Sequence, residues 1–122
     1  MDSTFSALID PAHISVAGFS LGGATALGLA GTRFDHSKYR DYCTRMGKQA
    51  QDCAFLAKGG VDLAQLADVY DKRISKIVAI DPGWTYAISN ESAAAMKRPI
   101  LLINLGDKDR WKTVDALMAQ TC

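Results

Sequence analysis

The sequence predicts an α/β protein, a parallel sheet with helices on both faces and so three layers in all. Apolar runs of strand length alternate with helical stretches, in the order strand, helix, excursion, strand, helix, strand, helix. The strand runs are nearly continuously apolar, as befits strands covered on both sides, rather than alternating apolar and polar. The length, 122 residues, suits one domain with a sizeable core and is too short for two. No internal repeat or low-complexity linker divides residues 1–122.

Asp10-Pro11 opens the ordered pattern with a turn, because proline fixes its own φ and biases its predecessor away from helix. His13 to Gly18 follows as a short, largely apolar strand. Leu21 to Gly31 reads as a helix rich in small residues. Its internal glycines each cost about 1 kcal/mol of helix propensity, which close packing against a sheet would offset. Residues 32 to about 73 are more polar and form an excursion. Ser37 is placed to cap a short helix there, and apolar residues at 61, 63, 66, 67 and 70 give a second helical spacing.

Ile74 to Ile80 contains Ile77-Val78-Ala79-Ile80, a buried strand that ends at Asp81-Pro82-Gly83. Ser89 to Lys97 is a helix with a Ser/Asn start, Glu91 in its first turn and basic residues at its end. Pro99 to Leu105 is a third apolar strand, closed by Gly106-Asp107, and Trp111 to Gln120 is a last helix. Three strands make a small sheet for this architecture, and its open edges imply further strands or association of copies through those edges.

Composition excludes several classes of function. Fourteen basic and thirteen acidic side chains give a net charge of +1 with no basic stripe, so neither nucleic acid nor an anionic membrane is indicated. The longest apolar stretch, Ile100 to Leu105, is far too short to span a bilayer. Met1-Asp2-Ser3-Thr4 lacks the basic region and apolar core of a signal peptide. Cys43, Cys53 and Cys122 have no metal-ligand spacing, and no metal or cofactor is expected. Cys43 and Cys53 stand ten residues apart, and the residues leave two readings open. They are free thiols in the cytoplasm or a disulfide in a periplasmic or secreted protein.

The chemistry concentrates at Gly18-Phe19-Ser20-Leu21-Gly22. A Gly-x-Ser-x-Gly between a strand and a helix forms a sharp turn that projects the serine Oγ at the C-terminal edge of the sheet. Gly18 and Gly22 are expected where strand and helix leave no room for a Cβ. The start of the helix favours developing negative charge, and the backbone N–H of Leu21 is the expected oxyanion donor. This pattern points to Ser20 as a nucleophile for acyl transfer.

Ile14 to Thr25 resembles the dienelactone-hydrolase-like branch of the α/β-hydrolases, and is similar there to the platelet-activating-factor acetylhydrolases. Ile77 to Trp84, Pro99 to Asn104 and Gly59-Gly60-Val61-Asp62-Leu63 extend the resemblance over nearly the whole chain. It implies a partial α/β-hydrolase domain, strands five to seven of an eight-stranded sheet, acting on small ester or lactone substrates. It also implies a triad in the order Ser, acid, His. In the acetylhydrolase pattern the acid is Asp81, and the alternative, one strand later, is Asp107 or Asp109. Asp81 is preferred because the Pro-Gly turn and Trp84 after it match that pattern more closely. Trp84, Tyr86 and Trp111 are candidates for an acyl pocket or for core packing.

The chain departs from the family at the histidine, since none follows His36. His13 begins the strand that ends at the turn, on the order of 20 Å from Ser20, against a hydrogen-bond reach of about 3 Å. His36 follows a helix that leads away from the site, and only a fold-back of the excursion would return it. The second oxyanion donor would also precede residue 1. The expectation is a hydrolase piece lacking its base, with a non-catalytic binding module of the same fold as the alternative.

Overall fold

The structure is a computed structural model that describes residues 3–50, 53–54, 58–59 and 68–105. A four-residue helix, α1 (Ser3–Ser6), precedes a turn at Asp10-Pro11. In that turn Asp10 Oδ1 accepts from Ala12 N–H at 2.9 Å, and Asp10 Oδ2 pairs with His13 Nδ1 at 2.5 Å. The sheet has three parallel strands, β1 (Ile14–Phe19), β2 (Ile74–Ile80) and β3 (Ile100–Ile103), ordered β1-β2-β3. His13 therefore belongs to the turn, and β3 is shorter than the Pro99–Leu105 run predicts. Its pairing with β2 ends at Ile80↔Ile103.

The register of β1 against β2 slips once, Ile14 facing Ile74 while Ser15 faces Lys76. Ser75 is the extra residue, and its hydroxyl donates to the Ile14 carbonyl at 2.9 Å. The slip explains a pattern that strict alternation forbids: Ile74, Ile77 and Ala79 are all buried on one side.

Helix α2 (Leu21–Ala30) packs against that side. Its Ala26 and Ala30 meet Ile74, Ile77 and Met96, while Leu27 meets Ala79, Ile88 and Ala93. Gly31 ends the helix at φ 114°, a left-handed position open to glycine. A later helix, α4 (Asn90–Ala95), brings Ala93 to the same face of the sheet. Ser89 caps α4 by accepting from Ser92 N–H at 3.1 Å. The helix stops at Ala95, two residues short of the predicted Lys97.

Both crossover helices thus cover one face. The opposite face leaves Phe19 60%, Leu101 56% and Ile103 38% exposed. Among the described residues α2 and α4 share one face, and the expected last helix, Trp111 to Gln120, lies outside them. The shared face has a topological reason. Parallel crossovers are right-handed, so strands added in one direction put every helix on one side. A crossover helix on the other face needs the strand order to reverse, and β1-β2-β3 does not.

The excursion folds back on the body. Helix α3 (His36–Met46) lies in it and is capped by Asp35, which accepts from Ser37 N–H at 2.8 Å and Lys38 N–H at 3.3 Å. Asp35 therefore holds the capping role expected of Ser37, whose hydroxyl instead donates to Asp35. Phe34 bridges Ile88, Asp35 N–H donates to the Ala87 carbonyl at 2.7 Å, and Ser89 N–H donates to Arg33 at 2.9 Å. Cys43 and Cys53 form a disulfide. In the second expected helix, residues 61–67 lie outside the described residues and 68–70 are not helical. The expected last helix, Trp111 to Gln120, also lies outside them.

Asp71 fastens the start of β2. Its N–H donates to the Leu29 carbonyl at 3.1 Å, and its own carbonyl accepts from Ile74 N–H at 3.1 Å and Arg98 Nη1 at 2.9 Å. The Arg73 guanidinium binds both carboxylate oxygens, Nε to Oδ1 at 3.0 Å and Nη2 to Oδ2 at 2.6 Å. Hydrogen bonds from Arg73 hold the Asp71 pKa down at about 2, against an ordinary 3.8. A depressed carboxylate stabilises the fold above its unfolded pKa and loses that contribution as pH falls through the folded one. The Asp71 contribution is therefore complete above about pH 4 and fades toward pH 2. Carboxyl-carbon NMR should show an Asp71 midpoint near 2 that moves toward 3.8 in Arg73→Ala.

Candidate active site

Strand β1 meets α2 at one residue, Ser20, with φ 52° and ψ −116°. A side chain at positive φ is strained, at a cost of about 1–3 kcal/mol, and persists only where its surroundings over-determine it. Here they do. Ser20 N–H donates to the Ile80 carbonyl on β2 at 3.0 Å. The Ser20 carbonyl accepts from Ala24 N–H at 3.1 Å, the first bond of α2, and from Gly83 N–H at 2.9 Å.

The turn after β2 is strained as well. Asp81 has φ 41° and Trp84 φ 57°, and with Ser20 they are the positive-φ non-glycine residues among those described. All three sit at the C-terminal edge of the sheet, where α/β proteins gather ligands. Asp81 N–H donates to Ile103 of β3 at 2.6 Å, so one edge joins the ends of three strands.

Glycine is required where these pieces touch. A Cβ on Gly18 would lie 2.0 Å from the Gly22 carbonyl oxygen, and one on Gly23 would lie 2.9 Å from Pro82 Cα. Gly22 has open space instead, which corrects the expectation that both motif glycines are sterically forced. The second crowded position is Gly23, because that is where α2 passes the Asp81-Pro82-Gly83 turn.

Ser20 occupies the N-cap position of α2 without acting as a cap. Asp35 and Ser89, at the same position in α3 and α4, have extended backbones and accept N–H groups from the first turn. The positive φ of Ser20 turns its side chain away from that role. Ser20 is exposed and its side chain makes no cap bond, and the N–H groups of Leu21, Gly22 and Gly23 precede the first intrahelical bond. They form the positive end of the helix dipole beside Ser20.

The structure thus brings Ser20, Leu21 and the Asp81 turn together. It does not bring in a histidine. His13 stands at the far end of β1, paired with Asp10. The fold-back does occur, since Asp35 bonds to Ala87, yet His36 is exposed and no hydrogen bond joins it to Ser20 or Asp81 among the described residues. Asp107, Asp109 and Trp111 lie outside the described residues. Trp84 and Tyr86, candidates for an acyl pocket, pack with aromatic neighbours. Trp84 meets Phe34 edge-on at 5.8 Å between centroids, and Tyr86 stacks on Tyr42 at 3.7 Å.

The sequence reading missed the Gly83–Ser20 bond and this cluster beside it. A signal existed for the cluster: Tyr39 and Tyr42, three apart on a helix, present one aromatic face. Gly18→Ala should lower the midpoint of urea unfolding sharply or abolish folding, because its neighbours at 2.0 Å are backbone. Gly22→Ala should raise stability by up to about 1 kcal/mol through helix propensity. Equal losses in the two variants would contradict the geometry described for this turn.

Comparison of the chain with family models, with curated proteins and with solved structures returned no match.

Proposed function

We propose that this chain carries the nucleophile of a serine hydrolase acting on small ester or lactone substrates through an acyl-enzyme. One observation carries the reading: Ser20 is held in a strained turn at a helix start with its hydroxyl unused as a cap. A serine kept for structure would adopt the extended N-cap conformation seen at Ser89 and bond the helix. The resemblance of Ile14 to Thr25 to the dienelactone-hydrolase-like enzymes supports the same role.

In this mechanism Ser20 Oγ attacks the substrate carbonyl carbon and gives its proton to a histidine. The oxyanion that forms accepts from Leu21 N–H, at the positive end of α2. The protonated histidine returns the proton to the departing alcohol, leaving an acyl group on Ser20. Water, activated by the same base, then releases the acid. Asp81 orients that histidine, and no metal or cofactor takes part. His13 is tied to Asp10 and, among the described residues, His36 has no hydrogen bond to Ser20 or Asp81, so this reading requires a histidine other than these two. The isolated chain is accordingly slow, because loss of the base alone removes several orders of magnitude in rate.

The same lack of a histidine favours a second reading, a binding module that keeps the fold without the chemistry. The exposed Phe19 and Leu101 side chains on the sheet are consistent with association between copies.

Chemical rescue distinguishes the two. With a fluorophosphonate probe and added imidazole as surrogate base, mass spectrometry should find an adduct on the Ser20 peptide that grows with imidazole and is absent in Ser20→Ala. A folded chain that stays unlabelled at every imidazole concentration overturns the hydrolase reading and leaves the binding module.

A further inference from the structure

We infer that the esters or lactones this chain takes carry a neutral, apolar acyl group, and that Leu21 is the residue that selects it. For the reaction this rests on the hydrolase reading, whereas the binding preference rests on the surface around Ser20.

Charge is divided unequally between the two ends of the sheet. Asp10 and His13 lead into β1, Asp71 and Arg73 into β2, and Lys97 and Arg98 into β3. Where the strands end, residues 19–23, 80–85 and 103–105 hold one carboxylate, Asp81, and no cation. Apolar side chains stand there instead and stay exposed, Phe19 at 60%, Leu21 at 53% and Leu105 at 66%. The register sets Phe19, Ile80 and Ile103 side by side, each one residue before Ser20, Asp81 and Asn104 in turn. A single exposed apolar residue is ordinary, but several gathered at one edge mark a binding surface.

Leu21 is the member of this group that the structure fixes beside the nucleophile. It follows Ser20, and its N–H is the oxyanion donor of the mechanism above. Its side chain lies against Gly83, where an added Cβ would come 3.6 Å from Leu21 Cδ2 and 3.7 Å from the Ser20 carbonyl carbon. Gly83 is itself bonded to that carbonyl through its N–H, at 2.9 Å. With no side chain at position 83 to cover it, Leu21 stays half-exposed next to Ser20.

A carbonyl oxygen that accepts from Leu21 N–H brings its acyl group to the side chain of the same residue. An alkyl chain gains by covering Leu21, about fourfold in affinity per methylene where burial is complete and about twofold where it is half complete. A carboxylate at that place loses hydration, meets no cation from the strand-end segments, and stands near the like charge of Asp81. Lys108 and Arg110 lie outside the described residues, and an anionic ester reports on either of them.

NMR titration of the Ser20→Ala chain with phenyl butyrate and phenyl hemisuccinate tests this without turnover by the serine. The two esters differ at the chain end, a methyl in one and a carboxylate in the other. Phenyl butyrate should shift the amides of Leu21 and Gly83 and bind about tenfold or more tightly than the hemisuccinate. Phenyl acetate, two methylenes shorter, should bind about fourfold less tightly than the butyrate. Adding Leu21→Lys should reverse the order of butyrate and hemisuccinate, and adding Leu21→Ser should bring butyrate and acetate close together. An unchanged amide signal of Ile77, in the middle of the sheet, marks the fold as kept in both variants. Equal or tighter binding of the hemisuccinate to the Ser20→Ala chain overturns the inference. So do shifts that bypass Leu21 and Gly83, or preferences that survive both Leu21 variants. Ser20 labelling with imidazole, measured on the chain that keeps its serine, separates the two proposals. Selective binding of the butyrate without labelling sinks the hydrolase reading and leaves the apolar site standing. Labelling of Ser20 without a preference for the butyrate sinks the apolar site and leaves the hydrolase.

Discussion

The Ser20 carbonyl oxygen accepts two hydrogen bonds, one from Ala24 at the start of α2 and one from Gly83 in the turn after β2. The first bond launches the helix, and the second pulls the neighbouring turn against it. Ser20 N–H, on the other side of the same residue, reaches across to Ile80. With every backbone polar group of Ser20 satisfied, the positive φ persists although it is unfavourable by itself. The contact leaves no space for side chains on Gly18 and Gly23, and it fixes how closely α2 approaches the sheet. Packing of Leu27 on Ala79 and of Ala26 and Ala30 near Ile77 follows from that approach.

A second constraint acts on the whole sheet. Because β1, β2 and β3 are added in one direction, their helices fall together on one face. That arrangement concentrates the described core between α2, α4 and the sheet, and it leaves Phe19 and Leu101 facing outward. It also gathers the chain reversals after β1 and β2 at one edge. The strain at Ser20, Asp81 and Trp84 collects there because successive parallel strands end side by side. Site and scaffold are consequences of a single connectivity.

Much of the scaffold was legible in the residues. The apolar run at Ile77 to Ile80, the small-residue helix after Ser20 and the Ser89 cap each carry a local signal that tertiary packing reinforces. Readings failed where two local signals competed or where the answer lay at a distance. Asp35 outcompeted Ser37 as a cap, two residues upstream of it. The crowded glycine is Gly23 rather than Gly22, because the obstacle is Pro82, a residue far along the chain. Whether Cys43 and Cys53 pair depended on the course of the excursion, and spacing alone left it open.

The sequence by itself determined the strands, the helix that follows Ser20 and the sharp turn at Gly18–Gly22 between them. Periodicity, glycine placement and capping are properties of neighbours in the chain. Only the tertiary structure decided that the two described crossover helices share one sheet face, that Gly83 braces Ser20, and that Trp84 belongs to an aromatic cluster. Each of those depends on which distant segments meet, and that is set by crossover handedness and side-chain packing, neither of which a local pattern encodes.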